Sequence, residues 1–415
     1  MTTLTAASSH FAMQFARDAI LLIACLPLAY YVVATLAGLR FFLRQREKSP
    51  GSFTPEVSVL KPVRGVDFAS YENLRSFCLQ DYPKYEILFC VNDLDDAAVP
   101  LIRRLAEQFP QRSIRLLSNA PQLGSNHKVN NLALLASQAK FELLVQSDGD
   151  VRVGADYLRE MAAPFERAET GVVSCFYRGV TQKNLWAEIE ALGVATDFSA
   201  GVLVADWMEG ATFALGASVA TTKTWLGKIG GYEGLAKVLA DDYEIGNRVT
   251  KAGGQAMLSR EVVETMYPAQ TFAEFWAHQM RWARTVRLCR PASYAGLLFT
   301  HGLPLAIAGA IVSRSAAVAL LFMAAYVGLR LAVAETVGVW GLRDETARRK
   351  WWLLPLRDLL QFAVWVGSFF SNRITWGDTE FELSANGEMA AIGKVAAKKS
   401  AEKPLRTGDG VDKGV

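Results

Sequence analysis

The stretch from Ala19 to Leu39 carries no charged side chain and is long enough to cross a bilayer as a helix. A run of that kind commits the chain to a membrane. Arg40, Arg44, Arg46 and Lys48 follow at once, and basic residues on the C-terminal flank place that flank in the cytoplasm. A cleaved leader would carry its positive charge before the apolar run and a small-residue site after it. The basic cluster stands after the run instead, so residues 1–48 read as an uncleaved anchor. A second apolar block runs from 291 to 375. Ala295 to Val312 and Ala316 to Gly338 are membrane-length pieces separated by Ser313-Arg314-Ser315. A basic stretch (Arg343, Arg348, Arg349, Lys350) leads to a further apolar run, Trp351 to Phe370. His301 and Pro304 interrupt the first piece, so a re-entrant segment stays open. Arg330, Glu335, Arg357 and Asp358 lie inside this block. Charge at membrane depth is costly and usually faces a cavity or a partner, although Arg357 and Asp358 could instead snorkel. Residues 376–415 read as a tail, largely disordered.

Composition agrees: 51% of residues are hydrophobic and 20% are charged, too apolar for an ordinary soluble enzyme. A net charge of +3 gives no case for a nucleic-acid partner. The five cysteines are scattered, without a C-x-x-C pair, which fits reduced thiols in a cytosolic domain.

Between the membrane blocks, residues 49–290 alternate short apolar strands with amphipathic helices. Val57 to Pro62, Tyr85 to Asn92, Ile114 to Leu117 and Leu143 to Gln146 read as strands; Tyr71 to Leu79 and Val99 to Gln108 read as helices. The expectation is an α/β domain with a mostly parallel sheet, whose ligands bind beyond the carboxyl ends of the strands. Polar clusters stand there. The first strand runs into Lys61-Pro62-Val63-Arg64-Gly65, the second into Asn92-Asp93, and the fourth into Asp148-Gly149-Asp150. No G-x-G-x-x-G and no P-loop follows any of them, which argues against dinucleotide and P-loop enzymes.

Two carboxylates flanking a glycine offer hard oxygen ligands for Mg²⁺ or Mn²⁺, although Asp and Gly are also common in turns. Gly124 to Asn131, with Lys128, enters a helix and suits an anionic or sugar-rich ligand; the plainer reading is N-capping by Asn130 or Asn131. Ala240-Asp241-Asp242-Tyr243 opens another helix, where one acid could serve as general base. Phe275 to Arg290 then places His278, Arg281, Trp282 and Thr285 on one helical face just before the membrane block, as an interfacial helix would.

In this order K-P-V-R-G, N-D, G-x-N-x-K-x-N-N-L, D-G-D, A-D-D-Y and H-x-x-R-W resemble the ceramide glucosyltransferase family, and within it the bacterial hopanoid-biosynthesis branch. Val173 to Gly179, Arg281 to Thr285 and Leu354 to Asp358 carry the closer likeness. The resemblance spans roughly Val57 to Trp376. It implies a GT-A glycosyltransferase fold and an inverting transfer from a UDP-sugar to a lipid hydroxyl, of ceramide or of a polyhydroxylated hopanoid. It places the catalytic domain on the cytoplasmic face of a bacterial inner membrane. It assigns Asp93 to the nucleotide, Asp148 and Asp150 to a divalent metal and the diphosphate, and Asp242 to the base. Arg281 and Trp282 are to close over the diphosphate and acceptor, with His278 beside them. Lys61, Arg64, Lys128 and Asn131 complete the candidate donor site. His278 departs from the family's usual Gln or Arg, and a protonated histidine beside the diphosphate would tie donor affinity to pH. A processive polysaccharide synthase, which needs more membrane helices for a pore, and a non-catalytic sugar-nucleotide-binding protein are the alternatives.

Overall fold

Short runs of β-branched and aliphatic residues build the central sheet. The computed structural model describes residues 2–46, 53–377, 379–384 and 387–394. In it β1 (Val57–Pro62), β2 (Tyr85–Val91), β3 (Ser113–Ser118), β4 (Leu143–Ser147), β5 (Val151–Arg152), β6 (Thr170–Thr181), β7 (Ser218–Thr222) and β8 (Gln255–Tyr267) form one sheet. Its order is β3-β2-β1-β4-β7-β6-β8-β5. Strands β1, β2 and β4 are buried along their whole length, as strands covered on both faces must be. They run parallel with β3, whereas β7 runs antiparallel to both β4 and β6. The arrangement is the expected α/β domain, with a mixed rather than a mostly parallel sheet. Its parallel half ends at β4, so Asp148, Gly149 and Asp150 leave the sheet where strand direction reverses.

Among the described residues two helices are long and apolar enough to cross a membrane, Phe11–Arg44 and Ala316–Gly341. Pro291–Thr300 and Gly302–Ser313 make a third only if the pair, bent by 54°, counts as one span. The expected segment at Trp351 to Phe370 is different. Its helix covers Leu354–Ser368, 15 residues, or about 22 Å at 1.5 Å per residue against a hydrocarbon core of about 30 Å. It packs along the helix Phe272–Cys289 and the turn after it: Trp365 Nε1 donates to the Tyr294 carbonyl at 2.9 Å, and the Tyr294 hydroxyl donates to Ser368 Oγ at 2.9 Å.

The charges of this block are paired. Asp197, in a π-turn at Val194–Phe198, accepts from Arg357 Nε at 2.8 Å and from Arg330 Nη2. Arg330 also reaches Asp358 at 2.9 Å, and Tyr326 donates to Asp358 at 2.9 Å. Arg330, Arg357 and Asp358 are buried, so they do not snorkel; Glu335 is exposed. Arg357 Nη1 donates to Gln279 Oε1 at 2.8 Å, which ties the network to the helix carrying His278, Arg281 and Trp282. Removing one member leaves buried charge uncompensated. Asp197→Ala is expected to cost about 3–5 kcal/mol, read as a lower unfolding temperature in detergent. A loss under about 1 kcal/mol would show that the arginines find water or headgroups instead.

Strands form within the expected tail, among the described residues as far as Lys394. β9 (Arg373–Trp376), β10 (Thr379–Leu383) and β11 (Met389–Lys394) form an antiparallel sheet. Ile374, Phe381, Leu383 and Met389 bury a small core together with Leu239 of the catalytic domain. The alternating pattern of Thr379–Leu383 buries one face, and its partner is distant in sequence. Residues 395–415 lie outside the described residues.

Candidate active site

Two motifs meet beyond the carboxyl end of β4, and Lys128 joins them. Its ammonium sits 2.7 Å from Asp148 Oδ1 and 3.6 Å from Asp241 Oδ2, bridging D-G-D and A-D-D-Y. The position of Lys128 follows from local structure. Asn126, rather than Asn130 or Asn131, caps the helix His127–Gln138 by accepting from Val129 N at 3.1 Å. Its amide also donates to the Val238 carbonyl at 2.8 Å, pinning the loop before Asp241. Asn130 folds back to accept from Leu123 N and Gly124 N at 3.2 and 3.1 Å, which shapes the loop ahead of the lysine. Asn131 donates to Asn92 Oδ1 at 3.0 Å and so links this helix to the end of β2 rather than pointing out freely.

The two acids of A-D-D-Y differ. Asp241 is buried, with Asn126 at 3.5 Å and Lys128 beside it. Asp242 is half-buried at the start of the helix Asp241–Lys251, and among the described residues no side chain donates to it. Its carboxylate lies directly over Gly216, where an added Cβ would fall 2.5 Å from Oδ2, so that backbone position has no room for a side chain. Burial first, then Asp241, pushes the Asp242 carboxyl up to about 6, against the pull of Lys128. Burial and then Asp148 push Asp150 up to about 7. Burial alone would lower Lys128, but Asp148, Asp241 and Asp242 outweigh it and hold the ammonium charged well above the usual lysine range.

Two expectations need correction. Lys61 is fully buried, with its ammonium directed at protein groups. Its ammonium donates to the Asp148 carbonyl, stands 3.5 Å from Ser147 Oγ and lies 4.0 Å from the centre of the Phe77 ring. Burial lowers it to about 7, although Asp148 and Asp150 pull the other way. It braces the D-G-D turn from beneath. His278 does not stand free. Its Nδ1 pairs with the buried carboxylate of Glu190, and its ring packs 5.0 Å from Trp282. Glu190 also accepts from Gln270 at 2.5 Å and Gln279 at 3.3 Å. Burial would raise Glu190, but His278, Gln270 and Arg357 hold it below the usual glutamate range.

Arg281 and Trp282 come from the same helix, Phe272–Cys289, which begins with a capping box between Thr271 and Glu274. Burial lowers the Arg281 guanidinium from the ordinary arginine range, with Glu190 opposing. Trp282 packs 6.3 Å from Phe198, and Phe198 lies 5.5 Å from Tyr177. Tyr177, on β6, lies close enough to Asp242, Asp148 and Asp150 that burial and those charges hold its phenol up. Sequence reasoning missed Tyr177 as a site residue because β6 was not read as a strand. Asp93 and Arg64 are exposed at the ends of β2 and β1; Asp93 accepts from Asp95 N at 2.9 Å in a local turn.

A metal would find two carboxylates here. Among the described residues no group of three or more His, Cys, Asp or Glu could hold an ion. Asp148 and Asp150 still fit a hard divalent cation, because such ions usually take one or two carboxylates and complete their shell with substrate phosphates and water. The like charges of Asp148 and Asp150, part-buried together, are what such a cation would neutralise.

The sequence from residue 19 to 389 matches the profile of Glycosyl transferase family 21. The chain belongs to glycosyl transferase family 21. This family 21 chain is 28% identical over 260 residues to ceramide glucosyltransferase 1 of Caenorhabditis elegans, covering 61% of this chain and 55% of that one. It is 32% identical over 143 residues to the ceramide glucosyltransferase of Komagataella phaffii, covering 32% and 28%. The chain thus spans about half the length of the first of these curated relatives. Among solved structures, it is similar to the mannosyltransferase PcManGT from Pyrobaculum calidifontis in complex with GDP-Man and Mn²⁺. There identity is 18%, coverage 84% of this chain and 99% of that one, and the TM-score 0.48. The figures for GalNAc-T7 with UDP, GalNAc and Mn²⁺ are 13%, 53%, 45% and 0.40.

Proposed function

We propose that this family 21 protein transfers a hexose or N-acetylhexosamine from a UDP-sugar to the hydroxyl of a membrane lipid, with inversion. The observation that carries the reading is the Lys128 bridge, which brings D-G-D and A-D-D-Y, a diphosphate-binding pair and a base, to one place. Asp93 and Arg64 border the nucleotide end. A divalent metal held by Asp148 and Asp150 would neutralise the diphosphate, and Arg281 adds fixed positive charge as UDP departs. Asp242 takes the proton of the acceptor hydroxyl as its oxygen bonds to the anomeric carbon and the bond to UDP breaks. Asp241 is the more buried of the two acids, with Asn126 at 3.5 Å and Lys128 at 3.6 Å, so Asp242 is the better placed to meet an acceptor.

Two membrane-length helices and the aromatic run Tyr177, Phe198 and Trp282 beside the carboxylates support a lipid acceptor. Ceramide and a polyhydroxylated hopanoid both offer the required hydroxyl, and a bacterial inner membrane with the catalytic domain in the cytoplasm fits the basic flank after Leu39. The test is direct. Full-length protein in nanodiscs receives UDP-glucose or UDP-N-acetylglucosamine, Mn²⁺ and either lipid, and the lipids go to mass spectrometry. One glycosylated lipid with matching UDP release is expected. UDP release that is indifferent to lipid, or a polymeric product, would sink the proposal.

A further inference from the structure

Hydrogen bonds tie the β9–β11 sheet to segments of the catalytic domain that border the candidate donor site. Leu239 N donates to the Gly387 carbonyl at 3.2 Å and Met389 N to the Lys237 carbonyl at 2.8 Å, immediately before Asp241 and Asp242. Ser125 Oγ donates to the Met389 carbonyl at 3.0 Å, three residues before Lys128. On the other side, Arg284 donates to the Arg373 carbonyl, and Arg287 donates to the Ser371 carbonyl at 3.2 Å and to Asn372. One turn earlier on that helix, the Arg281 guanidinium lies 5.9 Å from the centre of the Trp376 ring. The next residue, Gly377, has φ +60°, and a Cβ there would stand 3.3 Å from Arg64 Nη1. The β9–β10 turn therefore lies between the arginine of the interfacial helix and the arginine at the end of β1.

The geometry points to a role for this turn: we propose that the sheet is a wall of the donor site and that Trp376 is a positioning residue for Arg281. The proposal rests on the UDP-sugar reading above. A desolvated guanidinium needs a partner, and among the described residues Arg281 forms no ion pair. A carboxylate would supply one but would occupy the forked N–H donors. An aromatic face stabilises the cation from above or below its plane and leaves those donors free for phosphate oxygens. Trp376 thus holds the arginine aimed without competing with the ligand.

The test is a mutant cycle on the full-length protein in detergent, read by calorimetric titration with UDP in the presence of Mn²⁺. Trp376→Leu keeps apolar bulk but loses the ring face, and it should weaken UDP binding roughly fivefold to thirtyfold. Trp376→Tyr should stay within about threefold of wild type, because the face is retained. In an Arg281→Ala background, Trp376→Leu should change UDP affinity no further. A purely structural tryptophan would give effects that add in the double variant. Additive effects, or wild-type affinity in Trp376→Leu, overturn the proposal. Absence of UDP binding by the wild-type protein overturns the donor reading and this inference with it.

Discussion

Asp242→Asn is expected to lose transfer by about 10²–10⁴-fold while UDP affinity stays within a few-fold of wild type. Asparagine keeps the shape but cannot take the proton. The pH profile gives an independent check. The base acts only when ionised, and the Asp242 carboxyl stands at about 6 because burial and Asp241 disfavour its charge. Transfer should therefore rise from pH 5 to 7 and level off above. The charged and titratable groups facing it are Asp241 on its own helix, Lys128, Asp148, the phenol of Tyr177 and the thiol of Cys289. Lys128 is the cation among them, so Lys128→Met should move the acid limb to higher pH, and Asp241→Asn should move it lower. Asp242→Asn retaining more than a tenth of the activity would place the base elsewhere, with Asp241 the first suspect.

Asp148→Ala and Asp150→Ala are expected to lower transfer at least about 10²-fold, and excess chelator should inactivate the wild-type protein. The two variants separate by their metal response. Asp150→Ala leaves the Lys128–Asp148 pair at 2.7 Å in place, so the fold of the loop survives while metal-dependent UDP binding falls. Asp148→Ala also releases Lys128, whose ammonium then neighbours only Asp241 and Asp242. Full activity in chelator would mean that D-G-D is a turn and that Lys128 and Arg281 handle the diphosphate unaided.

Much of this site was legible because its motifs follow short apolar strands. Val57–Pro62 and Val99–Gln108 form where the pattern put them, and the polar ends of β1, β2 and β4 converge as strand polarity requires. What sequence could not give was the face. Lys61 shares its side of β1 with Val57 and Val59, against Phe77, so its ammonium goes under the D-G-D turn instead of over it. Nor could it give partners far along the chain. Arg357 and Asp358 look like snorkelling charges until Asp197 and Arg330 are seen beside them. The Thr379–Leu383 strand looks like tail until Leu239 fills its core. β6 and β8 are long strands whose runs are broken by Ser, Arg and Glu, which hides their periodicity.

The β9–β11 sheet also fixes a parity. Residue 290 leaves the catalytic domain, and residue 373 rejoins it, since β11 hydrogen-bonds to Lys237 and Ser125. Whatever lies between must pass through the bilayer an even number of times. If Ala316–Gly341 is one passage, the bent pair Pro291–Thr300 and Gly302–Ser313 has to be the other, and Leu354–Ser368 has to stay on the starting side. The packing agrees: Gly309 lies against Ala24 and Gly341 against Phe42, so the hairpin ascends and descends alongside the first helix. If Phe11–Arg44 also crosses once, the residue ahead of that helix and the strand ending at Lys394 lie on opposite sides. A reporter fused ahead of Phe11 and one fused behind Lys394 should answer from opposite sides of the same membrane.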